Sequence, residues 1–319
     1  MVRPRRGKTA FIISAAALLV GLAAPSPGFS GGQRQTGLPA AGTSPPGAAP
    51  AAGGGLSVFV SILPQAYFVE RIGAERLSVE VMVKPGQDPH TFEPTPQQMA
   101  RLAEAAAFFR IGAEFENSLI PRIESTMEGL VVVDCRKDIR LRQMDAHEAE
   151  GHEGVGYEGT DPHIWLSVRN AVRIAGTMHE ALVRLDPAGK EIYDRGYHGL
   201  VEDLEALDRR IAEILAPVEG KPFFVFHPSF GYFADDYGLE QIAVQTGGAE
   251  PSARQLARLI EEARSSEVRV IFVQPQFSRK SAEAIAAEID GAVVPIDPLA
   301  RDYIENLEKM ARAVEEGLR

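Results

Sequence analysis

From Leu56 onward the chain alternates short β-rich runs with helical stretches, and this alternation constrains the fold more than any other feature. A strand followed by a helix returns to its sheet by a crossover, so the strands run parallel and the sheet is wound. A first series places strands at Leu56–Ile62, Leu77–Val83, Ala107–Ile111 and Leu130–Asp134. One helix between them reaches Gly73, and another, over Thr95–Ala105, is opened by Thr-Pro. A second series places strands at Phe223–Phe226, Leu239–Val244, Val268–Val273 and Ala292–Ile296. Its helices fall near Tyr232–Asp236, Ser252–Ser265 and Ser278–Ile289, and Asp302–Leu318 closes the chain.

Between the two series runs a helical stretch from about Asp186 to Ala216, stopped by Pro217 and Gly220. Leu200, Leu204, Leu207, Ile211 and Ile214 recur at steps of four and three, which gives one apolar stripe. Gly196 and Gly199 weaken its first turns. A helix of roughly 30 residues is about 45 Å long, enough to run the length of a two-lobe protein. The expected architecture is therefore α/β: two wound parallel-sheet lobes joined by one long rigid helix, with a preformed interlobe cleft. The N-terminal lobe covers 56–187, the bridging helix 188–216 and the C-terminal lobe 217–319.

The first 55 residues belong to neither lobe. Arg3, Arg5, Arg6 and Lys8 precede the apolar run Ala10 to Ala24, which is short of the roughly 20 residues a membrane-spanning helix needs. Residues 1–30 read as a secretory signal, with an uncleaved signal-anchor as the rival, and both readings export the body of the protein. Residues 31–55 are Gly, Ala and Pro with almost no bulky apolar side chain, the composition of a linker.

Of 33 Lys and Arg, five lie in residues 1–55, which carry no acidic group; the remaining 28 face 44 Asp and Glu, a formal −16 over 56–319. Such a body repels phosphate backbones and attracts cations, so no nucleic-acid partner is expected. Cys135 stands alone, which excludes an intramolecular disulfide and a Cys-based zinc cluster. No glycine-rich phosphate fingerprint or Walker lysine is present. Any transition-metal site must use His, Asp and Glu.

Three of the seven histidines have unusual settings. His90 closes the turn-rich loop Lys84-Pro85-Gly86-Gln87-Asp88-Pro89-His90. His163 sits in Asp161-Pro162-His163-Ile164-Trp165, just before a helix and beside the only tryptophan. His227 ends the strand Phe223-Phe224-Val225-Phe226 and precedes Pro228, and Asp297 ends another in Pro295-Ile296-Asp297-Pro298. Loops at the carboxyl ends of wound strands converge on a ligand crevice. Three imidazoles and a carboxylate make a tetrahedral set suited to Zn²⁺. Taken singly, each histidine reads first as a hydrogen-bonded core residue and the aspartate as a turn or cap; jointly the metal reading gains, because three of seven histidines fall at loop positions next to proline. Tyr193, His179 and His198 fall on helical stretches and read as structural.

Four segments carry a resemblance. Lys84-Pro85-Gly86 with Asp88-Pro89-His90-Thr91-Phe92-Glu93-Pro94-Thr95-Pro96 resembles the first metal-ligand segment of the cluster A-I metal-binding substrate-binding proteins. These ZnuA/TroA-like proteins are the extracytoplasmic receptors of zinc and manganese ABC importers. Asp161-Pro162-His163-Ile164-Trp165-Leu166 is similar to their second ligand segment. Phe226-His227-Pro228-Ser229-Phe230-Gly231-Tyr232-Phe233-Ala234 with Tyr237-Gly238-Leu239 is similar to the third, and Ile296-Asp297-Pro298-Leu299 to the fourth. The likeness covers essentially all of 56–319, and it implies His90, His163, His227 and Asp297 as the metal ligands.

The resemblance also implies the partners and the compartment. The chain would be a periplasmic or otherwise extracytoplasmic receptor, a monomer by family analogy, that meets the membrane through an ABC permease with its cytoplasmic ATPase. Manganese members typically place a carboxylate where this chain has His227, so a nitrogen-rich set favours zinc over Mn²⁺. Gln274 stands where the family commonly has Glu, and Trp165 and Phe230 are expected to wall the site. Asp145-Ala146-His147-Glu148-Ala149-Glu150-Gly151-His152-Glu153 resembles a shortened His- and acid-rich loop of zinc-type members, and reads equally as a solvated acidic loop. Because imidazoles bind metal only when deprotonated, affinity should fall below about pH 6.5. The competing class is a secreted zinc-dependent hydrolase, for which Glu93 is the only obvious general base. A surface adhesin or a pure zinc buffer is the third reading, which a neighbouring permease and ATPase gene would exclude.

Overall fold

The computed structural model describes residues 55–144, 159–245 and 251–319. The stretches read above as a secretory signal, 1–30, and a linker, up to residue 54, and the loop of His147 and His152 lie outside the described residues. Among the described residues no helix is long and apolar enough to cross a membrane.

The first series builds β1 (Leu56–Val60), α1 (Leu63–Gly73), β2 (Leu77–Val81), α2 (Pro96–Leu102), β3 (Ala107–Arg110), α3 (Glu116–Thr126) and β4 (Val131–Asp134). Its strands form one parallel sheet in the order β2-β1-β3-β4. The central strands are apolar on both faces, as a parallel sheet covered by helices requires, and Val58, Phe59, Val60, Phe108 and Phe109 are fully buried. Thr95 caps α2 as expected: its hydroxyl accepts from the Gln98 N–H at 3.2 Å. Helix α3 was not among the expected elements. Pro121 sits inside it and interrupts the helical signal in the sequence.

After α4 (Val168–Leu185) comes the long helix α5 (Lys190–Leu215), 26 residues flanked by short 3₁₀ turns at Pro187–Gly189 and Ala216–Val218. Pro217 therefore closes the helix inside a tightened last turn. Leu200, Leu204, Leu207 and Ile211 of the stripe are fully buried, and Leu215 rather than Ile214 completes it. Gly196 has a packing reason. A Cβ there would come within 2.3 Å of the Ile72 carbonyl oxygen, so glycine lets α1 lie against α5.

The second series repeats the first: β5 (Pro222–Val225), α6 (Gly231–Tyr237), β6 (Glu240–Ala243), α7 (Ala253–Ser265), β7 (Val270–Val273), α8 (Lys280–Glu288) and β8 (Ala292–Pro295). The strand order β6-β5-β7-β8 mirrors the first sheet, again all parallel. Helix α9 (Tyr303–Leu318) then packs back along α5. One apolar core runs through both lobes by way of α5 and α9, and a smaller one lies under α7 and α8. Tyr303 at the start of α9 stacks edge-on against Phe68 of α1 at 4.7 Å, and its hydroxyl donates to the Trp165 carbonyl at 2.6 Å. Arg71 of α1 pairs with Asp203 of α5 at 2.6 Å, and Arg301 with Glu70 of α1. A shared core with these ties holds the two lobes as one stiff frame.

Candidate metal centre

The carboxyl ends of both sheets carry the residues that meet in the cleft. His90 lies in the loop after β2, His227 immediately after β5 and Asp297 after β8. In each sheet the chain crosses from one side of its first strand to the other, which opens the crevice described for wound sheets.

An Asp-Pro turn recurs at three of these positions. Asp88 Oδ1 accepts the His90 backbone N–H at 3.0 Å, Asp161 Oδ1 that of His163 at 2.9 Å, and Asp297 Oδ1 that of Leu299 at 3.0 Å. Proline fixes the middle φ and the aspartate closes the turn on the residue beyond it, so the backbone of that residue is locked. Two of the three locked residues are histidines.

The three imidazoles converge. Ring centroids are 4.8 Å apart for His90 and His227, 5.3 Å for His163 and His227, and 5.5 Å for His90 and His163. One ring nitrogen from each lies within 4.8 Å of the others, the sole such group of His, Cys, Asp and Glu among the described residues. His163 Nδ1 donates to Asp161 Oδ1 at 2.8 Å and His227 Nδ1 to Gln245 Oε1 at 2.9 Å, while His90 Nδ1 stands 3.5 Å from Glu114 Oε2. His227 Nδ1 donates to Gln245, which leaves its Nε2 as an acceptor; His90 Nε2 lies 3.0 Å from it, within hydrogen-bond distance, so the two nitrogens share a proton that a metal cation would displace. A tetrahedral zinc with Zn–N near 2.0–2.1 Å would hold its nitrogens about 3.3 Å apart, close to this spacing. The enclosed space is about 20 Å³, room for one ion-sized occupant.

Neutral amides and one tyrosine hold the ligands from behind. Fully buried Gln274 takes the His227 N–H on its Oε1 at 3.2 Å and returns Nε2 to the His227 carbonyl at 2.8 Å and to Ser229 Oγ at 3.0 Å. A glutamate in its place could not donate to that carbonyl. On the other side, the Tyr232 hydroxyl accepts from the Arg142 N–H at 2.8 Å and donates to the Asp161 carbonyl at 3.1 Å. Burial pushes this hydroxyl up to about 12, so it keeps the proton it donates. Gly231 makes room for the arrangement: a Cβ would fall 2.6 Å from Arg142 Nη1 and 2.7 Å from Asp161 Oδ2.

Asp297 is not part of the imidazole group. Its Oδ1 accepts from Gln276 Nε2 at 3.1 Å, its carbonyl from Asn306 Nδ2 at 2.7 Å, and it borders a neighbouring cavity of about 290 Å³. Trp165 walls the imidazole site, with its ring 5.4 Å from His163 and its Nε1 donating to the Pro298 carbonyl at 2.8 Å. Phe230 does not; it packs into the core against Phe223, and Phe277 instead stacks on His227 at 4.6 Å. Glu93 is exposed and does not border the imidazole cavity. His179 of α4 bonds Asp194 Oδ1 of α5 at 2.8 Å, His198 the Asp194 carbonyl one turn back on α5 at 2.7 Å, and the Tyr193 hydroxyl donates to Asp186 at the end of α4 at 2.7 Å. Gln245, Glu114 and Gln276 carry no motif, and only their partners in space give them a role.

Comparison with known proteins agrees with this geometry. The family model described as "Zinc-uptake complex component A periplasmic", ZnuA, matches residues 58–317. The high-affinity zinc uptake system protein ZnuA of Bacillus subtilis is 32% identical over 254 residues, 77% of this chain and 79% of that protein. The zinc-binding lipoprotein AdcA of Streptococcus pneumoniae is 28% identical over 283 residues, which covers 83% of this chain; the chain spans only 56% of that protein. Among solved structures, a crystal structure of ZnuA superposes with a TM-score of 0.77 at 38% identity, covering 83% of this chain and all of that one. A ZnuA deletion mutant with zinc bound gives 0.76 at 39%, covering 83% and 98%. By the extent of the family match and the identity to its members, the chain belongs to the ZnuA family of metal-binding substrate-binding proteins.

Proposed function

We propose that this chain is an extracytoplasmic receptor that captures Zn²⁺ and delivers it to an ABC permease driven by a cytoplasmic ATPase, and is not an enzyme. The observation that carries the reading is the convergence of three imidazole Nε2 atoms whose Nδ1 atoms face acceptors behind them. His90, His163 and His227 are the proposed ligands, and Asp297 supplies the carboxylate of the site from beyond Gln276. Nitrogen donors suit zinc better than manganese, which prefers carboxylate and carbonyl oxygens. The −16 body raises the local cation concentration outside the membrane, to which an N-terminal signal delivers it. A monomer fits a receptor whose cleft must meet the permease. A shared core and a single stiff helix favour release by a small tilt or by loss of one ligand over a wide hinge.

The test is a competitive titration of the purified protein with Zn²⁺ and Mn²⁺. One tight zinc per chain, not displaced by excess manganese and weakened as the pH falls, is the expected result. Tight loading of manganese in preference to zinc, or no tight site, would overturn the reading.

The carboxylate behind His163 gives a second expected result. Asp161→Asn keeps the size of the side chain but removes the negative charge that orients the ring and strengthens it as a donor. Zinc affinity should fall roughly 10- to 100-fold, the usual cost of losing an outer partner. Competition against a chromogenic chelator measures it, and an unchanged affinity would leave Asp161 with a turn-forming role alone.

A further inference from the structure

We infer that Gln276 supplies the oxygen donor that completes the metal set, and that Asp297 acts on the ion through it; the inference rests on the zinc reading above. Gln276 follows β7, the strand paired with β5, so it leaves the same sheet edge as His227. Its side chain borders the small cavity enclosed by the three imidazoles and also the larger cavity of Asp297. Its amide orientation is fixed, because Nε2 donates to Asp297 Oδ1 at 3.1 Å and the reversed amide would set oxygen against carboxylate. The other end is then Oε1, a buried acceptor with no hydrogen-bond donor among the described residues.

An acceptor buried without a donor destabilises the fold, and such atoms in folded proteins call for an ion, a water or another occupant. Three nitrogens leave one tetrahedral position for a fourth donor, and a neutral amide oxygen can fill it. Asp297 stands to Gln276 as Asp161 stands to His163. Each carboxylate is locked by its own Asp-Pro turn, accepts a hydrogen bond from the far side of a ligand and makes the near side more negative. Asp297 is further held at its carbonyl by Asn306 of α9. Histidines and acids are the usual candidates for such a site, and for that reason a glutamine draws no attention in the sequence.

The experiment compares the full chain with Gln276→Leu, Gln276→Glu, Asp297→Asn and His227→Ala by zinc affinity and by the visible absorption of bound Co²⁺. Gln276→Leu should weaken zinc on the order of 100-fold and change the Co²⁺ bands, since a ligand is lost. Gln276→Glu keeps an oxygen for the ion but sets its other oxygen against Asp297, so it should bind zinc less tightly than the unaltered chain and more tightly than Gln276→Leu, with the Co²⁺ bands kept. Asp297→Asn still accepts from Gln276, and should cost about tenfold with the Co²⁺ bands kept. A zinc-loaded crystal structure of the unaltered protein should place Gln276 Oε1 about 2.0–2.2 Å from the ion, whatever the variants do. If Asp297→Asn gives the larger loss and the changed spectrum, or the zinc-loaded structure shows Asp297 or water in the fourth position, the inference is wrong while the zinc reading stands. If His227→Ala binds zinc as tightly as the unaltered chain, the three-histidine reading fails and this inference with it.

Discussion

Replacing His163 by alanine should lower zinc affinity on the order of 10²- to 10³-fold. Apparent zinc free energies of roughly 10–16 kcal/mol, shared among four ligands, assign about 3–4 kcal/mol to each, and 1.4 kcal/mol is a factor of ten. His163 should show the full effect because it is the most firmly built of the three. Its backbone and its ring Nδ1 are both held by Asp161 Oδ1, at 2.9 and 2.8 Å, and its neighbour Trp165 is tied to the other lobe at Pro298. Alanine also leaves the buried Asp161 carboxylate without its ring partner, facing Arg142 Nη1 at 3.7 Å. The apo protein should therefore lose some stability as well, and affinity has to be measured on chains shown to be folded. His179→Ala and His198→Ala serve as references, because both rings bond Asp194 on α5 and neither belongs to the imidazole group. A His163→Ala affinity within tenfold of the unaltered chain would remove His163 from the ligand set.

What the sequence discloses about this site follows from how each residue type signals itself. Alternation of strand and helix is a local property, and the two sheets with their bridging helix follow from it directly. Strand ends were placed one or two residues too far at β1 and β2, where pairing stops before the apolar run does. Histidines after strands and in Asp-Pro turns are conspicuous, and the three so marked are the three that meet. The carboxylate was harder. Asp297 sits in the same kind of turn, yet its place relative to the imidazoles depends on Gln276, a contact made 21 residues away in sequence. Phe277 takes the place expected of Phe230 for the same reason: which aromatic ring faces a histidine depends on how β5 and β7 pair. The supporting amides Gln245 and Gln274 act through single hydrogen bonds across the sheet edge, and no period or spacing reports those. Gly196, which in isolation weakens a helix, is explained only by the approach of α1.

The largest effect on stability should come from Glu116, at the start of α3. This side chain is fully buried and accepts from Ser61 Oγ at 2.5 Å, Arg110 Nε at 3.1 Å, and the backbone N–H groups of Ile111 and Gly112, each at 2.8 Å. One carboxylate thus joins the carboxyl ends of β1 and β3 at the crevice of the first sheet. Glu116→Leu would leave two backbone donors and a hydroxyl buried and unmatched, with the Arg110 charge held only by Asp134 at 3.7 Å. Breaking such a buried pair costs about 3–5 kcal/mol, roughly a fifth or more of the stability of a marginally stable domain. Glu116→Gln keeps one acceptor oxygen but turns an N–H₂ toward a donor, so an intermediate loss of about 1–3 kcal/mol is expected. Urea unfolding of the metal-free protein measures both, through a lower midpoint at unchanged slope. The consequence extends to the metal. The turn that Glu116 fixes carries Gly112 at φ +96°, Ala113 on the wall of the imidazole cavity, and Glu114 beside His90. If this turn positions the site, zinc should stabilise the Glu116→Gln protein less than it stabilises the unaltered chain, because binding to a loosened site has a larger dissociation constant. Equal stabilisation by zinc would separate the two roles and leave Glu116 as a support of the sheet alone.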